Sequence, residues 1–160
     1  MRRYFLRKKE AKAFLREMAQ LGVKLGWEAR ARVEVAEEDG LKLFLLDGQP
    51  VAAEKKGKLL PLLIKPEVLE GLPAVVVDMG AVPHVCNGAD VMAPGIVEIK
   101  GDFEQGSLVR VLDERHGKAI AIGEALFGSD EIRGMKKGKV VKNLHYVGDR
   151  IWRLARSLVG

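Results

Sequence analysis

The spacing of apolar side chains changes period several times along the chain. The opening "RRYFLR" is short, apolar at its centre, and reads as a strand. "KKEAKAFLREMAQLG" then shifts to helical spacing: Ala11, Phe14, Leu15, Met18 and Leu21 recur on one face, with Gly22 placed to stop the helix. Its other face carries Lys8, Lys9, Lys12 and Arg16. "ARVEV" alternates like a strand, "EEDG" turns, and "LKLFLLDGQPVAAEKKGKLLPLL" reads as a meander. Asp47-Gly48 marks one hairpin in it and Gly57 the next turn. "KPEVLEGLP" leaves room for one short helical turn bounded by Pro66 and Pro73.

The texture changes at Ala74. "AVVVD" is an unbroken β-branched run, the pattern of a strand buried on both faces. "MGAVPHVCNG" suggests a short helix with Asp78 at its start and Asn87-Gly88 as a left-handed stop. Pro83 lacks an N–H and is tolerated only in a first turn, so this helix is expected to begin late. After "ADVMAPG" come "IVEIKGDF", "SLVRVLDE", "KAIAIGEAL" and "KVVKNLHYV", each of strand length and broken by Gly, Asp or Ser. Such spacing predicts a small barrel or sandwich. "DRIWRLARSLV" closes as a helix with Ile151, Leu154 and Leu158 on one face and Arg150, Arg153 and Arg156 on another. The class is therefore α+β in two domains, 1–73 and 74–160, with the last helix and Trp152 expected to pack on the barrel.

The 160 residues, 48% of them hydrophobic, allow one good core or two small ones and exclude a disordered chain. No apolar run approaches the roughly 20 residues of a membrane helix. The basic N-terminus has no apolar stretch behind it, so it does not read as a signal peptide. With a single cysteine, no internal disulfide forms, and a cytoplasmic protein is expected. The net charge of +5 is modest, but it is unevenly placed. Residues 2–16 hold seven Lys or Arg against Glu10 alone. Residues 133–142 hold Arg133, Lys136, Lys137, Lys139 and Lys142 with no acid. Each run reads either as a solvated face or as a phosphate-binding one.

A catalytic constellation is not visible. His84 and Cys86 form H-x-C without the further ligands of a zinc site. "GDFEQGS" has Ser107 where a phosphate loop needs its lysine, and reads as a turn. "DERHGK" is an ordinary hairpin. No metal and no cofactor are expected.

The ordered set "NGADVMAPGIVEI", "GDFEQGSLVRVLDE", "GKAIAIGEALFGSDEI" and "GKVVKNLHYVGDRIW" resembles a PUA domain, the small RNA-binding domain attached to pseudouridine synthases and archaeosine transglycosylases. The likeness extends upstream through "LFLLDGQPVAAEKKGKLLPLLIKPEVLEGLPAVVVDMGA" and the opening "YFLRKKEAK". Over nearly the whole chain it is similar to the family of the malignant T-cell amplified sequence protein and translation machinery-associated protein twenty, in its stand-alone archaeal form.

The resemblance implies a pre-PUA α+β domain followed by a PUA pseudo-barrel, and RNA binding without catalysis. It implies ribosomal RNA or a tRNA end as partner, the small ribosomal subunit as the place of action, and initiation, reinitiation or recycling as the process. Eukaryotic relatives work with a partner carrying an initiation-factor-like domain. A different implied role is an accessory module that delivers RNA to a separate modifying enzyme. The groove would lie between the first PUA helix, the glycine-rich loop and the last strand. Gly88, Ala89 and Asp90 would bring bare backbone with free N–H groups to the RNA, and Lys136, Lys137 and Lys139 would meet its phosphates. Tyr146 would stack on a base or cap the barrel, and Val91 and Met92 would fill the barrel mouth.

Overall fold

The computed structural model describes residues 1–25 and 32–159, and the chain divides into two units, Met1–Gly71 with Arg150–Gly160, and Leu72–Asp149. The first unit is an antiparallel sheet in sequential order: β1 (Arg2–Phe5), β2 (Val33–Glu38), β3 (Leu41–Leu46), β4 (Gln49–Lys55) and β5 (Lys58–Pro61). The strand expected over "ARVEV" starts at Val33, and Ala31 lies outside the described residues. Three two-residue turns set the register. Asp39-Gly40, Asp47-Gly48 and Lys56-Gly57 all hold positive φ, which gives the type I′ twist that matches paired strands.

Helix α1 (Lys8–Gln20) lays Ala11, Phe14 and Met18 on this sheet, with the Phe14 ring stacked on Phe44 at 4.5 Å. It ends as its sequence predicts. Gly22 has φ +87, and Val23 and Gly22 donate N–H bonds back to the Met18 and Ala19 carbonyls. Pro66 opens a single 3-10 turn over Pro66–Leu69.

The last helix departs from expectation. It belongs to the first unit and not with residues 74–149. This helix packs against β4, buries Ile151, Leu154 and Ala155, and holds the β2–β3 turn through Arg150, whose guanidinium donates to the Glu38 and Asp39 carbonyls. The amphipathic pattern was right about the helix, but a pattern does not say which apolar surface it covers. The boundary between the units falls at 71/72.

The second unit is a curled mixed sheet. In chain order it contains β6 (Ala74–Val77), α2 (Val82–Val85), β7 (Val91–Met92), β8 (Ile96–Lys100), β9 (Leu108–Asp113), β10 (Ala119–Ala125), α3 (Ser129–Arg133) and β11 (Lys139–Tyr146). The last helix is α4 (Arg150–Leu158). The strand order is β7-β11-β10-β9-β6-β8. β6 is internal, antiparallel to β8 and parallel to β9. Val75 and Val77 point into the main core while Ala74 and Val76 join Leu112 on the other face, so the unbroken apolar run is buried on both sides. Gly123, in the "AIGEA" stretch, sits at a bulge against β11, and a Cβ there would collide with Val141 and the Lys142 carbonyl. The local pattern did not indicate α3. Its Ser129 hydroxyl exchanges hydrogen bonds with the Phe103 backbone, a partner 26 residues away.

Candidate nucleic-acid interface

The segment from Asp78 to Gly95 makes one wall of a cleft in the second unit. Asp78 Oδ1 accepts the Ala81 N–H at 2.8 Å and shapes the turn into α2. Pro83 falls in the first turn, where a missing N–H costs nothing, so the helix runs undistorted from Val82 to Val85. Its exit is a Schellman motif. Gly88, at φ +96, donates its N–H to the Val85 carbonyl, and Ala89 donates to the His84 carbonyl, both at 3.0 Å.

Asn143 on β11 stitches the loop down. Its Nδ2 donates to the Val85 and Ala89 carbonyls at 3.0 Å each, and its backbone N–H donates to Asp90 Oδ1 at 2.9 Å. Asp90 Oδ2 in turn lies 3.5 Å from Lys139 Nζ. Below this seam is an open cleft of about 530 Å³, lined mainly by small or apolar groups with His84, Asp90 and Lys139 as its polar members.

The structure brings Gly88, Ala89, Asp90 and Lys139 together in this cleft. Lys136 and Lys137 are exposed in the turn leading to β11 and do not line it. Tyr146 packs its ring against Gly88, 3.3 Å from where a Cβ would stand, and against the core. Two expectations change. The Gly88 and Ala89 N–H groups are spent inside the Schellman motif, so free amides are not on offer there. Val91 is buried in the core, but Met92 is 45% exposed and lines the cleft instead of filling the barrel mouth.

The residues that sequence reasoning missed are His84, Met92 and Asn143. His84 lies four residues before Gly88, a helical spacing that could have paired them. Asn143 carried no local signal, because its partners lie 53 to 58 residues upstream. Cys86 is half-buried against the core, and burial together with the Asp113 charge pushes its thiol pKa up, away from thiolate character.

Comparison with known proteins fits this geometry. Residues 73–147 match the PUA domain, and residues 2–65 match a domain of unknown function, DUF1947. The molecule is thus a PUA-domain protein with a pre-PUA unit ahead of it. An uncharacterised protein of Methanocaldococcus jannaschii is 42% identical over 94% of this chain and 95% of its own length. Translation machinery-associated protein 20 of Saccharomyces cerevisiae is 31% identical over 79% of this chain and 74% of its own. The chain belongs to the family of translation machinery-associated protein 20.

Other matches fall on one unit or on the fold as a whole. A probable tRNA pseudouridine synthase B of Pyrobaculum aerophilum is 39% identical over 84 residues, 52% of this chain but 24% of the synthase. The crystal structure of a hypothetical protein from Pyrococcus horikoshii superposes with a TM-score of 0.82 at 34% identity, covering 96% of this chain and 99% of that one. A chain of an H/ACA ribonucleoprotein bound to a substrate RNA gives a TM-score of 0.50 at 29% identity, covering 59% of this chain and 28% of that one. Among the described residues no helix is long and apolar enough to cross a membrane.

Proposed function

We propose that the protein is a non-catalytic, cytoplasmic RNA-binding component of the translation apparatus. It takes structured RNA, from the small ribosomal subunit or a tRNA end, and acts in initiation, reinitiation or recycling, with an initiation-factor-like protein as the partner of its first unit. The observation that carries this reading is the cleft itself. Gly88, Ala89 and other small or apolar groups line it together with Lys139, and Lys136 and Lys137 precede Lys139 in a stretch, 133–142, that holds no acid. A flat base enters where side chains are small, and the lysines meet phosphates outside.

Asp90 is held on one oxygen by Asn143 and on the other by Lys139, so it orients the lysine rather than repelling the RNA outright. Tyr146 acts by supporting Gly88. A second reading, an accessory module that hands RNA to a separate modifying enzyme, draws on the similarity of residues in this half to a probable tRNA pseudouridine synthase.

Sedimentation separates the two readings. In a low-salt gradient of cell extract the protein is expected with small ribosomal subunits. Retention at the top of the gradient, with tRNA binding intact, would sink the ribosomal role and favour the accessory one. Replacing Lys136, Lys137 and Lys139 by Glu is expected to weaken binding to isolated subunits at least tenfold without changing the melting temperature.

A further inference from the structure

The charges of α1 are arranged against the helix's own stability. Arg7, Lys8 and Lys9 crowd its N-terminal end, where the macrodipole is already positive, and the last turn has no basic residue. Lys8, Lys12 and Arg16 recur at i, i+4 and i+8, a spacing at which like charges repel. All five side chains are exposed, and none pairs with an acid among the described residues. Glu10, the acid within this run, is engaged at the helix start, where it accepts the Arg7 N–H at 3.1 Å. A ridge whose like charges repel and which, among the described residues, finds no acidic partner is suited to an external polyanion.

The strand edge beside the helix has a matching feature. Register places Tyr4 opposite Val35 and Val35 opposite Phe44, the residue on which Phe14 of α1 stacks, so Tyr4 and Arg2 project to the helix side of the sheet. The Arg2 guanidinium lies 4.9 Å from the centre of the Tyr4 ring. Cations interleaved with an aromatic on an edge strand form a surface that can follow a phosphate backbone and stack an unpaired base.

We infer that α1 and the β1 edge form a second RNA surface, carried by the pre-PUA unit and built from Arg2, Tyr4, Lys8, Lys12 and Arg16. The inference extends the RNA-binding reading above and rests on it. RNA is favoured over a lipid surface because α1 buries Ala11, Phe14 and Met18 in the sheet packing, leaves Leu15 half-buried, and exposes no large apolar side chain to insert between lipids. Two basic surfaces in separate units let the protein engage a folded RNA at more than one place along its backbone.

The test is fluorescence anisotropy of the full chain with a labelled RNA hairpin bearing a single-stranded 3′ end, across a salt series. The Lys8→Gln, Lys12→Gln, Arg16→Gln triple variant is expected to bind at least tenfold more weakly. It should flatten the slope of log affinity against log salt by about 2, since each lost phosphate contact removes roughly 0.7 to 0.9. Its melting temperature should not fall, because repulsion within α1 is relieved. The Lys136→Glu, Lys137→Glu variant is measured in parallel. If it loses affinity while the α1 variant keeps both affinity and slope, the second surface is overturned and the cleft reading stands. If neither variant moves, both readings fall. If phosphatidylserine vesicles capture the native protein but not the α1 variant, and RNA binding is unchanged, the ridge serves a membrane and the inference is wrong.

Discussion

Asn143 holds the candidate site together, and its role is conformational. Two carbonyls converge on its amide nitrogen, and its backbone N–H fixes Asp90. Replacing it by Ala removes the side-chain donor to the exposed Ala89 carbonyl and one of two donors to the Val85 carbonyl, which keeps the Gly88 N–H, a loss of about 0.5–1.5 kcal/mol for each hydrogen bond. Asn143→Ala is therefore expected to lower the denaturant midpoint and weaken RNA binding together, and Asn143→Asp, which turns a lone pair toward those carbonyls, to do worse. Equal midpoints for the three proteins would remove this role.

Gly88 is a different case. Its φ of +96 and the neighbouring Tyr146 ring make any side chain there a test of folding first. Gly88→Ala should cost about 1–2 kcal/mol from the left-handed backbone alone, read as a lower melting temperature. Ala89, exposed and with ordinary backbone demands, is the better position at which to block the cleft with a larger side chain.

At the scale of elements, the β9–β10 hairpin shows how one buried carboxylate ties down a turn. Asp113 accepts the His116 N–H at 2.6 Å and the Lys118 N–H at 3.0 Å. The His116 amide is the main cause holding its pKa below the ordinary 3.8, with the Lys118 amide adding to it and burial opposing. Because the folded value lies below the unfolded one, the stabilisation is fully present above roughly pH 4 and is lost as pH falls through the folded value. Urea melts of the native protein and of Asp113→Asn should therefore differ at neutral pH and converge in acid. A gap that stays constant down to pH ~2 would contradict the assignment.

The same scale explains what could be read in advance. The three hairpin turns and the end of α1 were legible because Asp-Gly, Lys-Gly and Leu-Gly steps decide φ locally. α3 was not, because the hydrogen bonds that seat Ser129 come from Phe103.

For the whole molecule, the unexpected connection is the return of α4 to the first unit. Removing residues 150–160 exposes the apolar surface covered by Ile151, Leu154 and Ala155 and frees the β2–β3 turn from Arg150. Hydrogen exchange on such a truncated protein is expected to show lost protection in β2–β4 and retained protection in β9–β11. Loss confined to the second unit would mean that the helix serves the PUA barrel after all. The candidate site divides in the same way. The loop Gly88–Asp90 and Lys139 could be picked out from glycine, charge and family pattern, yet His84 and Met92 entered only when the fold brought them to line the same cleft.

By itself the sequence determined the elements whose geometry depends on near neighbours: type I′ turns, glycine stops, the buried β6 run, the amphipathic helices and the family to which they add up. Tertiary structure alone decided which surface α4 covers, that the Gly88 and Ala89 amides are consumed within their own motif, and that Asn143 rather than the loop fixes the cleft. The physical reason is range. Backbone dihedral preferences and hydrophobic period act over a few residues, whereas the choice of partner for a buried face or a hydrogen-bonding group is made across the fold by whatever group lies opposite.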